Sequence, residues 1–224
     1  MFRLILFDID GTLISTDGAG VKAFGRVFDE IFGLPNATKY MTFAGRTDRR
    51  LVREIFESND IEPTDQNFRK FKEAYLEHLS RYLPEGQTEP LPGVRQLINS
   101  FREHTPPPMI GLLTGNHPHG AELKLRHYNL WQEFAMGAFG DQYEDRADVA
   151  RDALKQGQSR IPDLKPNEIL IIGDTKRDIE CARAIGAKVL AVATGPSNIT
   201  ELKSLSPDWV IKNLTHIHPS DLSK

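Results

Sequence analysis

The chain has one cysteine, Cys181, so it can close no internal disulfide and has no second thiol with which to build a zinc knuckle. A small buried side chain is the expectation for it. No apolar run approaches the roughly 20 residues that cross a bilayer, which excludes a membrane-spanning helix. There is no basic excess: 28 Lys and Arg stand against 31 Asp and Glu, and a net charge of -3 gives no field to attract nucleic acid. The opening MFRLILFDID lacks the apolar length and small-residue cleavage site of a secretory leader and soon reaches two carboxylates. The expectation is a cytoplasmic protein that handles small molecules, with neither nucleic acid nor membrane as a partner; its ordinary composition is compatible with a monomer or weak dimer.

What is present alternates. RLILFDID is a short β-prone run ending in aspartates, and MIGLLT at 109–114, EILIIGD at 168–174 and KVLAVAT at 188–194 share its character, with WVI near 209 as an edge strand. Helical patterns fall between them at 93–104, 119–128, 146–156 and 176–185. Strand and helix in alternation predict an α/β fold, a doubly wound parallel sheet with a Rossmann-like core. The interval after the first strand is too long for a simple crossover, and most of it reads as helix. Val21, Phe24, Phe28, Ile31 and Phe32 recur at helical spacing; so do Leu51, Val52, Ile55 and Phe56 after Thr47 as N-cap, and Phe68, Phe71, Tyr75, Leu76 and Leu79. The expected organisation is a core of residues 1–14 and 88–224 with a small α-helical cap, residues 15–87, inserted.

Strand ends in such sheets carry the chemistry. Asp8 and Asp10 stand two apart at the end of the first strand, followed by Gly11 and Thr12, which permit a tight turn. Two such carboxylates can divide the labour of nucleophile and acid/base, although a bare DxD is equally a solvated turn or a metal loop. Asp174 ends a later strand. Carboxylates gathered where strands end need a cation, and oxygen-only ligands favour Mg²⁺.

The string DIDGTL after an apolar strand resembles the first motif of the haloacid dehalogenase-like hydrolases, LLTGN at 112–116 resembles their second, and IIGDTKRDIECARAIGA at 171–187 their last. FAGRTD at 43–48 resembles the substrate-specificity stretch of the phosphoglycolate phosphatase branch. The resemblance covers nearly the whole chain. It implies a phosphatase acting on a small phosphorylated metabolite, 2-phosphoglycolate-like or a sugar phosphate. Asp8 would be the nucleophile that becomes an aspartyl-phosphate, and Asp10 the acid and then the base. Mg²⁺ would be held by Asp8, the Asp10 carbonyl and Asp174, with Asp178 supporting the site from behind. Thr114 and the N–H groups of Gly115 and Asn116 would meet phosphoryl oxygens, and Arg46 a second anionic group of the substrate.

The family's third motif, a lysine followed by proline at a helix start, is not matched cleanly. Lys165 precedes Pro166 but lies on the loop entering the last motif's own strand, Lys155 falls late in a helix, and Arg146 opens that helix. Arg146 is expected to supply the phosphoryl-stabilising cation, while its neighbours Glu144, Asp145 and Asp148 equally suit a surface arginine. His117 and His119 have neither the thiols nor the spacing of a zinc site, though His117 can line the active-site mouth. Two relatives in chemistry stay open: a sugar-phosphate mutase, which shares the core and keeps the intermediate, and a haloacid dehalogenase, which has no need of Asp10. The non-enzymatic alternative is an inactive binding or regulatory protein, which has no need of all five of Asp8, Asp10, Thr114, Asp174 and Asp178.

Overall fold

In the computed structural model, residues 2–222 are described, apart from the side chain of His216. Strands β1 (Leu4–Phe7), β2 (Met109–Leu113), β3 (Met136–Ala138), β4 (Ile169–Gly173), β5 (Lys188–Val192) and β6 (Trp209–Ile211) form one parallel sheet in the order β3-β2-β1-β4-β5-β6. β3 is Met-Gly-Ala, whose glycine and alanine carry little β-preference, so it goes unread while the equally short Trp-Val-Ile of β6 is legible. Every strand pairs parallel with its neighbours, and β1 runs level with both of its own, Phe7 lying opposite Leu112 and Ile172.

The strands are apolar without a break because both faces of the sheet are covered. Successive residues still divide between the faces. Ile5, Phe7, Leu170 and Ile172 pack with helices α4 (Val94–Arg102) and α5 (Pro118–His127), whereas Leu4, Leu6, Ile169 and Ile171 pack with α6 (Arg146–Arg160) and α7 (Lys176–Ile185). Each fully buried aliphatic side chain contributes about 1.5–3 kcal/mol, so the two layers hold the strand ends rigidly in place. A last helix, α8 (Ile199–Ser204), leads to the edge strand.

Between β1 and β2 come α1 (Ala19–Phe32), α2 (Asp48–Ser58) and α3 (Asp65–Tyr82), which have an apolar core of their own. Phe24, Phe28, Phe56 and Phe71 meet there edge-on or tilted, with ring centroids 4.7 Å apart for Phe24–Phe71 and 5.8 Å for Phe28–Phe56. The helical periodicity overreached at two positions. Val21 and Ile31 are 41% and 48% exposed, since a 3.6-residue repeat drifts and α1 turns only one stripe toward α3. Thr47 caps α2 through its hydroxyl, which accepts from Arg50 N at 3.2 Å. The same hydroxyl donates to the Glu144 carbonyl at 3.1 Å, so the cap also ties α2 to the loop before α6.

Candidate active site

In this strand order the chain leaves β1 toward β2 and β3 on one side and returns to β4 on the other, so the crevice beyond β1 and β4 is the switch point where open α/β sheets bind ligands. Asp8 follows β1 and Asp174 follows β4; both are buried, at 5% and 1% exposure. Asp178 sits fully buried in the first turn of α7, with one oxygen accepting from Thr175 N and Oγ1 at 2.9 and 2.7 Å. Asp8, Asp174 and Asp178 each present an oxygen within 4.8 Å of the others.

Arg146 reaches this cluster from the start of α6. One guanidinium nitrogen lies 2.9 Å from Asp8 Oδ1 and 2.6 Å from Asp178 Oδ1, with every partner buried. Burial works against its charge, but Asp178 and Asp8 outweigh that and hold its pKa above the ordinary arginine value. Lys155 and Lys165 are exposed elsewhere. Burial also pushes Asp8 up, to about 6; Arg146 opposes the rise and Asp178 adds to it. Asp174 is held well above the carboxylate range, first by burial and then by Asp178 and Asp8. One of its oxygens accepts from Thr12 Oγ1 at 2.9 Å, and the other, Oδ2, is buried with no hydrogen-bond partner among the described residues.

That orphaned oxygen tests the site for a metal. A buried carboxylate oxygen without a donor, on a residue clustered with two more carboxylates, is an arrangement that a hard cation satisfies and an empty apolar pocket does not. The all-oxygen set fits Mg²⁺.

The loop after β2 forms the opposite wall. Thr114 Oγ1 accepts from Asn116 Nδ2 at 2.8 Å and from Asn116 N at 3.3 Å, which leaves its own proton free to donate into the site. The Asn116 N–H is therefore committed inside the loop rather than offered to a ligand. The Gly115 carbonyl accepts from Asp48 N at 2.8 Å, and a Cβ at position 115 would lie 1.9 Å from the Arg46 carbonyl, so α2's entry loop is pressed against this turn. Asp48, readable from the sequence as an ordinary first-turn charge, instead accepts from His117 N at 2.7 Å. His117 itself is pushed down to about 4, chiefly by burial, and stays neutral; His119 is exposed.

A cavity of about 270 Å³ lies between the sheet end and the helices, lined by Asp8, Asp10, Thr114, Arg146 and Asp174 from below and by Phe24, Phe43 and Arg46 from above. Arg46 lines it, but its guanidinium is paired with Glu54 and donates to the Thr42 carbonyl. The Asp10 carboxylate is outside the metal-ready cluster and meets a residue that the sequence did not single out. Lys124 Nζ lies 2.9 and 2.7 Å from its two oxygens. In ELKLRH that lysine looks like part of a solvated helix face, and no local signal marks it.

The sequence pattern described as haloacid dehalogenase-like hydrolase matches residues 5–192. The phosphoglycolate phosphatase of Synechococcus elongatus is 27% identical over 222 residues, covering 98% of this chain and 95% of that protein. Pyrophosphatase PpaX of Bacillus cereus is 25% identical over 222 residues, covering 96% and 94%. The crystal structure of β-phosphoglucomutase from Clostridium difficile superposes with a TM-score of 0.75 at 16% identity, over 99% of this chain and 96% of that one, a likeness of fold.

Proposed function

The chain belongs to the haloacid dehalogenase-like hydrolase family and is a phosphatase, and from that premise we propose that it hydrolyses a small phosphomonoester with Mg²⁺ through an aspartyl-phosphate on Asp8. The observation that carries the reading is a buried Asp8, its carboxylate 2.9 Å from Arg146, clustered with Asp174 and Asp178, and Asp174 keeps one oxygen without a partner among the described residues. Asp8, Asp174 and the Asp10 carbonyl would hold the ion, and Asp178 orients Arg146. Bound there, Mg²⁺ supplies the positive charge that screens repulsion between a carboxylate nucleophile and an anionic phosphate.

The residues then divide the work. Asp8 attacks phosphorus, the bond from phosphorus to the ester oxygen breaks, and Asp10 gives its proton to the leaving oxygen. In the second half Asp10 takes a proton from water as that water attacks phosphorus, and the bond from phosphorus to Asp8 breaks to release phosphate. Thr114 Oγ1 and the Gly115 N–H donate to the phosphoryl oxygens, and Arg146 offsets charge on the nucleophile's side. Residues 15–87 act as the cap: the contacts of Thr47, Asp48 and Arg46 with the loops at Gly115 and Glu144 are the closure that excludes water.

A cavity of about 270 Å³ suits a compact ester such as 2-phosphoglycolate or a sugar phosphate. Arg46 would meet a second anion once released from Glu54. The buried, unpaired Cys181 suits the reducing cytoplasm, and a monomer or weak dimer suffices, because every group named here comes from one chain. The test is Mg²⁺-dependent phosphate release across 2-phosphoglycolate, sugar phosphates and nucleoside monophosphates, with Asp8→Asn alongside. Release that needs Mg²⁺ and vanishes in the variant is expected. Folded protein that releases phosphate from none of these esters would overturn the reading, and a retained phosphoryl group passed between sugar positions would identify a mutase instead.

A further inference from the structure

Lys124 is 4% exposed, on the inward side of α5, in a segment whose neighbours Glu122, Arg126 and His127 are charged or polar. A lysine so enclosed needs acceptors for its three protons, and it has three: Asp10 Oδ1 at 2.9 Å, Asp10 Oδ2 at 2.7 Å and Asn116 Oδ1 at 2.7 Å. No donor is left over for a substrate. The contact also fixes the Asn116 amide, because turning it over would set an NH₂ group against the ammonium. Held this way, Asn116 Nδ2 donates to Asp10 Oδ2 at 2.8 Å and to Thr114 Oγ1 at 2.8 Å.

One ammonium thus fixes two groups, Asp10 and Thr114, that line the same cavity. It clamps both oxygens of Asp10, whose side chain is otherwise 39% exposed to the cavity. Through Asn116 it also turns the Thr114 hydroxyl so that its lone pairs are occupied and its proton faces outward. The reach extends to the helical layer: a Cβ at Gly20, on α1, would lie 3.5 Å from Lys124 Nζ. Lys124 therefore sits where β1's end, the loop after β2 and α1 converge.

We propose that Lys124 is the positioning residue for the acid/base carboxylate: it aims Asp10 at the leaving-group oxygen and, through Asn116, keeps Thr114 as a donor. This rests on the aspartyl-phosphate reading above. It assigns to Lys124 a role distinct from that of Arg146, which pairs with Asp8 and Asp178 and makes no contact with Asp10 among the described hydrogen bonds and ion pairs.

The experiment compares an alkyl phosphate, whose leaving oxygen needs a proton, with p-nitrophenyl phosphate, whose phenolate leaves without one. Lys124→Met, similar in length and uncharged, is expected to lower kcat on both but to lower the alkyl-to-aryl kcat ratio by at least about tenfold, with KM moving less than kcat. In an Asp10→Asn background that ratio has already fallen, and adding Lys124→Met should change it less than about twofold. Lys124→Arg should recover part of the ratio; should Lys124→Met fail to fold, Lys124→Gln is read in the same way. Equal losses on both esters, a ratio change that persists without Asp10, or a rise in KM alone would overturn the proposal. Asp8→Asn, run alongside, separates the two levels: phosphate release surviving there refutes the aspartyl-phosphate chemistry itself, whatever Lys124 does.

Discussion

Replacing the nucleophile should make the metal-free protein more stable, not less. Asp8 is pushed from 3.8 to about 6, first by burial and further by Asp178, against the pull of Arg146. Taken through the linkage relation at about 1.4 kcal/mol per tenfold change in proton affinity, keeping Asp8 ionised in the fold at pH 7.5 costs about 3 kcal/mol. Asparagine has the same shape without the charge, and Arg146 retains Asp178 at 2.6 Å, so no buried cation is stranded. Asp8→Asn should then gain up to about 3 kcal/mol in EDTA, which for a chain of this size is about 6–12 °C in Tm. The sign follows from the raised pKa: below about pH 4 Asp8 holds its proton in both folded and unfolded states and the variant gains nothing. The penalty on the parent grows from pH 4 to 6, and above pH 6 the gain is complete. Mg²⁺ at a hundredfold excess over its Kd should return about 2.7 kcal/mol to the parent and much less to the variant. Melting curves by circular dichroism in EDTA and in Mg²⁺, at pH 5 and pH 7.5, read all four terms. A variant that melts below the parent in EDTA at pH 7.5, or a gap that does not widen with pH, would refute the picture of a strained carboxylate cluster awaiting a cation.

Arg146→Met should destabilise by about 3–5 kcal/mol in urea titrations, because Asp8 and Asp178 are left buried beside each other without their counter-cation. Gly115→Ala should cut kcat/KM on the order of 10²-fold while far-ultraviolet circular dichroism stays unchanged, since the added Cβ would meet the Arg46 carbonyl at 1.9 Å and lift α2's entry loop off the site. Phe28→Ala should cost about 3–5 kcal/mol by opening a cavity in the helical layer, where Phe28 is fully buried against Phe32, Phe56 and Phe71.

Much of this molecule follows from local pattern. The apolar runs ending at Asp8, Thr114 and Asp174 determine β1, β2 and β4 because strands buried on both faces need no polar alternation, and the residues that end them emerge at the same edge of a parallel sheet. The start of α2 is legible from its local cap, Thr47, whereas α8 is not read as a helix although Asn198 caps it, and Arg146 comes forward as a cation because it opens α6 where the family's third motif has its lysine. Only the tertiary structure decided the rest. It paired Arg146 with Asp8 and Asp178 rather than with adjacent Glu144 and Asp145, turned Arg46 toward Glu54, and set β3 at the sheet edge although Met-Gly-Ala carries little β-preference. It also moved Lys124 from an apparent solvated face to the side of Asp10, 114 residues away in sequence. The physical reason is the same in each case. A charge is identified by its partner, and partners brought together by sheet order and helix packing leave no trace in the spacing of either residue along the chain.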